Sequence, residues 1–60
     1  MDLKVGDCIR YNFLYSNEKE KIGLITQIKK DVNFSFMIYL IDDEGQVDIV
    51  PFNIVEYYKL

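Results

Sequence analysis

The sequence predicts an all-β protein, a five-stranded miniature barrel formed by one domain over residues 1–60. Three observations carry that prediction. Short stretches rich in β-branched and aromatic residues recur along the chain, several of them alternating apolar with polar. Polar or glycine-containing connections separate them, with no repeat, low-complexity tract or linker between. The run Phe34-Ser35-Phe36-Met37-Ile38-Tyr39-Leu40-Ile41 is apolar at both parities and carries more apolar surface than one side of so thin a barrel can hide.

Each element has its own signal. Gly6-Asp7 is a turn pair, after which Ile9, Tyr11 and Phe13 alternate with Cys8, Arg10 and Asn12, predicting a first strand with its aromatic side inward. Residues 16–21 are polar and charged, and read as an exposed loop. Glu and Lys there favour a helix, but Gly23 and the β-branched Ile22, Ile25, Thr26 and Ile28 argue for a second strand. The spacing Gly23, Ile25, Ile28 slips by one residue and predicts a bulge, a device that bends a short strand around a small barrel. Residues 29–33 make the next connection, and 34–41 the third strand.

Asp42-Asp43-Glu44-Gly45 reads as a hairpin turn with Gly45 suited to positive φ. Val47 and Ile49 then alternate with Gln46 and Asp48 in a fourth strand. Pro51 cannot donate to a ladder and ends that strand; Phe52-Asn53 forms a single 3-10 turn, and residues 54–58 give a fifth strand closing on the first.

Composition limits function. Sixty residues leave no room for a second core, and a chain this short buries only about 60% of its unfolded surface. Half of the residues are hydrophobic, enough to offset chain entropy and more than the core of a small barrel needs. The surplus predicts a surface covered by a partner, either another protein or further copies in a homo-oligomer. Net charge is −3, with the seven basic residues scattered among acidic ones, which argues against nucleic acid. No run approaches the roughly 20 apolar residues of a membrane span. A single cysteine and an opening Met1-Asp2-Leu3-Lys4 without an apolar leader segment predict a cytoplasmic, reducing setting.

The order Val5-Gly6-Asp7-x-Ile9, then Gly23-x-Ile25-x-x-Ile28, then Asp43-Glu44-Gly45 and Val50-Pro51-x-x-Ile54 resembles SH3-like barrels over nearly the whole chain. Within that superfold it looks like the Tudor and KOW type and like the family of small barrel proteins found in photosystem I. In size and pattern it is similar to short barrel proteins encoded by tailed phages. That resemblance implies a five-stranded SH3-like barrel and a binding role, in the host cytoplasm or in a virion. Tudor readers use a cage of several aromatics; Tyr15 and Tyr39 are candidates for one, but the chain has no tryptophan. The same absence speaks against reading of proline-rich peptides, and the alternating charges of the loop depart from RNA-binding KOW modules.

No catalytic residue, metal site or cofactor is expected. The chain has no histidine, so Cys8 lacks its usual base and zinc its commonest ligand. Three adjacent carboxylates on a tight turn cannot converge on a cation that wants six to eight oxygens, so Asp42-Asp43-Glu44 reads as a hairpin tip. Arg10 and Lys21 are placed to form surface ion pairs with Glu56, of no functional weight. On the third strand Phe34, Phe36, Ile38 and Leu40 share one face, and Met37, Tyr39 and Ile41 the other. Parity alone does not say which lines the interior; Tyr57, Tyr58 and Leu60 are the candidates to cover the outward set. The leading expectation is a non-catalytic protein-binding or structural module that binds through Tyr15, Met37, Tyr39 and Tyr57. The alternatives are a Tudor- or KOW-like reader of RNA or modified peptide, using Arg10, Lys19, Lys21, Lys29 and Lys30, and a small inhibitor of a host enzyme.

Overall fold

The computed structural model of the chain describes residues 2–31 and 35–60. Val32, Asn33 and Phe34, which the sequence places in the second connection and at the start of the third strand, lie outside the described residues. The protein is all-β, with strands β1 (Cys8–Phe13), β2 (Lys21–Lys30), β3 (Phe36–Asp42), β4 (Val47–Pro51) and β5 (Val55–Lys59). A single 3-10 turn (Phe52–Ile54) precedes β5. All strands pair antiparallel in one sheet of order β4-β3-β2-β1-β5, so β4 and β5 form its two edges and the sheet is open.

The alternation read from the sequence becomes an inner face. Ile9 and Tyr11 from β1, Ile25 from β2, Ile38 and Leu40 from β3, Val50 from β4 and Val55 from β5 are buried together. Ile28, Phe52 and Tyr57 pack against them. The register slips between Ile25 and Gln27, so Thr26 is the extra residue of a bulge and Ile28 returns to the inner face. The Thr26 hydroxyl donates to the Tyr39 carbonyl at 3.2 Å.

Two turns need glycine. Gly6 sits at φ 97° and Gly45 at φ 80°, both in the left-handed region. The Gly6 turn is docked on β2: the Gly6 amide donates to the Ile25 carbonyl and the Ile25 amide to the Asp7 carbonyl, each at 2.9 Å. This docking brings Leu3 into the core, a contribution that no periodicity in the opening residues announces. The β3–β4 turn is held by Asp42, whose Oδ1 accepts from the Glu44 and Gln46 amides at 2.9 Å each.

Some expectations are corrected. Phe13 shares the inward parity of Ile9 and Tyr11 but is 37% exposed. It is the last residue of β1, and the chain turns immediately after it, with the Ser16 amide donating to the Phe13 carbonyl. Lys21 pairs with Asp48 at 3.5 Å, and Glu56 stands opposite Asn12 on the neighbouring strand. Lys21 itself opens β2 instead of closing the loop, and β2 runs on to Lys30.

Candidate docking face

The apolar surplus is resolved by the parity of β3. Ile38 and Leu40 point into the core, so Met37, Tyr39 and Ile41 point outward. Directly paired residues in antiparallel strands share a face, and the register therefore extends Ile41 into a row. Cys8 stands opposite Leu24, Leu24 opposite Ile41, and Ile41 opposite Val47. A second row runs Gln27, Tyr39, Ile49, and a third Lys29, Met37, Pro51. Four strands thus carry a continuous outer surface that is almost wholly apolar at its centre.

Nothing among the described residues covers this surface. Val47 is 67% exposed, Ile49 48%, Leu24 46% and Ile41 40%. At its upper end Cys8, Ile22, Leu24 and Ile41 line a shallow hollow of about 330 Å³, with Asp42 and Asp43 on its rim. At its lower end the Lys29 ammonium lies 5.4 Å from the centre of the Tyr39 ring, a cation–π contact that lays this charge along the face. Tyr39 is half-buried, its backbone fixed by the Thr26 hydroxyl.

The four residues singled out from the sequence separate into two groups. Met37 and Tyr39 are together on the outer face. Tyr15 is 93% exposed in the β1–β2 loop, beyond the end of β1 that points away from the Tyr39 row. Tyr57 is on the inner face of β5, its ring centroid 5.9 Å from that of Phe52 and its hydroxyl donating to the Asp2 carboxylate. That bond holds the Asp2 carboxyl below the usual carboxylate range and pushes the Tyr57 hydroxyl up. Tyr57 therefore fastens the opening segment to β5. Nor does the end of the chain cover Met37, Tyr39 and Ile41. Tyr58 and Leu60 lie along β1 on the opposite edge and are themselves about two-thirds exposed.

Leu24, Val47 and Ile49 were not singled out from the sequence. Val47 and Ile49 alternate with Asp48 as a half-buried strand would, yet here the polar residue turns inward. Its signal was the hairpin itself: a turn over residues 43–46 pairs Ile41 with Val47, so both must share one face. No helix of the described residues is long and apolar enough to cross a membrane. Compared with protein families, curated proteins and solved structures, the chain gives no match.

Proposed function

We propose that this chain is a non-catalytic protein-binding or structural module that docks through the outer face of β1–β4. The observation that carries this reading is the row Cys8–Leu24–Ile41–Val47 with Tyr39 and Ile49 beside it, an apolar surface spanning four strands that no described residue covers. Scattered exposed apolar residues are ordinary, but a contiguous patch of them marks an interaction site in most proteins. Tyr on a rigid sheet contributes contact area at low entropic cost, and Met and aliphatic side chains add apolar area.

In architecture we read the sheet as a small SH3-like barrel. The strand order, the 3-10 turn before β5 and the reach of Asp48 from edge strand β4 to Tyr11 on β1 support it. The same skeleton resembles short barrel proteins of tailed phages, so an accessory or virion-associated role is the biological setting we favour. Ile41→Asp and Tyr39→Asp test the docking reading in chains used as bait and in light scattering. Both variants are expected to melt cooperatively like the parent and to lose association. Normal association of both would move the docking site off this face.

A further inference from the structure

We propose that the occupant of the outer face is a second copy of this chain, packed face to face about a two-fold axis that lies in the face and runs across the strands. This inference rests on the docking reading above and names its partner.

Charge is distributed unevenly along the face. Its centre carries none: Leu24, Ile41, Val47, Tyr39 and Ile49 surround Gln27. Its upper end carries Asp43, on the rim of the hollow formed with Ile22 and Leu24. Its lower end carries Lys29, lying along the face over Tyr39. Both charges fall near β2, since Asp43 leans over the Ile22 end of that strand and Lys29 stands at its other end. Arg10 is also at the upper end, but one strand further out, opposite Ile22. A foreign partner would need a matching pattern of its own. A second copy already has one.

An axis across the strands reverses strand direction in the copy. Asp43 of each chain then meets Lys29 of the other, Ile41 packs on Tyr39, and Val47 on Ile49. This is sheet-on-sheet packing, in which two apolar faces interdigitate with their strands nearly aligned. Four strands over the rows from Ile22 to Lys29 cover roughly 400 Å² in plan at standard strand spacing. Side-chain relief enlarges that area toward the roughly 800 Å² each partner gives to a standard interface. The association is therefore weak and concentration-dependent, with orientation set by the two charge pairs.

The test is light scattering on the isolated chain from about 10 µM to about 1 mM, at low salt and with reductant to keep Cys8 free. The parent is expected to rise from 7.1 kDa toward twice that mass. Lys29→Glu alone and Asp43→Lys alone are each expected to remain at the single-chain mass, because like charges then face each other. Mixed one to one, the two variants are expected to recover the doubled mass, since both contacts are again opposite in sign.

A parent that stays at the single-chain mass throughout overturns the second copy and leaves the docking face to a foreign protein. A doubled mass that the charge reversals do not reduce, or that mixing does not restore, overturns this packing. A doubled mass that survives Ile41→Asp overturns both the inference and the reading it rests on.

Discussion

The Tyr11 hydroxyl donates to the Asp48 carboxylate at 3.0 Å, joining β1 to edge strand β4 across the inner face of the sheet. Lys21 on β2 approaches the same carboxylate oxygen at 3.5 Å. Tyr11 is almost fully buried, so its hydroxyl needs a partner, and Asp48 supplies one at the rim of the core. The contact ties strands three places apart in the sheet, and it explains why the polar residue of β4 faces inward while Val47 and Ile49 face out. Tyr11→Phe should cost about 1 kcal/mol, a fall in Tm of roughly 4–8 °C for a domain of this size. Thermal melts at neutral pH check it.

The same contact predicts a pH dependence. Burial and the Asp48 carboxylate push the Tyr11 hydroxyl well above its ordinary value of 10.0. The unfolded chain releases that proton near pH 10, whereas the folded chain retains it. Folding therefore binds the proton more tightly, and the stability from this group, intact below pH 10, falls as pH rises beyond it. Denaturant titrations between pH 8 and 11 should show the parent losing more stability than Tyr11→Phe. Parallel losses would remove Tyr11 as the cause.

Gly23 stands close against the Tyr11 and Leu40 side chains. A Cβ there would stand 3.0 Å from a ring carbon of Tyr11 and 3.2 and 3.3 Å from the Leu40 side chain. Gly23→Ala should destabilise by about 1–3 kcal/mol, the usual cost of overpacking. Leu40→Ala opens space beside it, so the double variant should be less destabilised than the two single effects summed. Additive effects in urea titrations would contradict the packing account.

The two parities of β3 should respond oppositely to truncation. Leu40→Ala and Ile38→Ala remove fully buried side chains and should cost about 2–5 kcal/mol each. Ile41→Ala, on the outer face, should change stability by no more than about 0.5 kcal/mol while weakening association. Tyr15→Ala should alter neither property. Tyr57→Phe should leave association intact and loosen only the opening segment, readable as faster hydrogen exchange near Leu3.

The five strands in outline, a bulge between Gly23 and Ile28, the turn at Gly45 and the pairing of β5 with β1 were legible in the sequence, because β-branched periodicity, glycine and proline act locally. The parity of β3 was not, since both of its faces are apolar and only the register with Leu24 and Val47 separates them. Leu3 and Asp48 were missed for a related reason. Each is placed by a contact distant in sequence: Leu3 by the turn docked on Ile25, and Asp48 by Tyr11. Of the candidate site, Met37 and Tyr39 were legible as sharing one face of β3, though not that this face points outward. Tyr57 was misplaced because the shift from the 3-10 turn into β5 sets its parity, which composition does not reveal.

The face carrying Leu24, Tyr39, Ile41, Val47 and Ile49 is the proposed binding surface of this protein. The measurement that addresses it most directly is a concentration series of amide nitrogen–proton NMR spectra of the isolated chain. Shifts or broadening are expected to be confined to β2–β4 around those five residues and to Lys29 and Asp43, and to be absent in Ile41→Asp. Changes centred on Tyr15 or Tyr57, or changes that persist in Ile41→Asp, would contradict this assignment, whereas spectra that do not vary with concentration would overturn only the second copy as occupant.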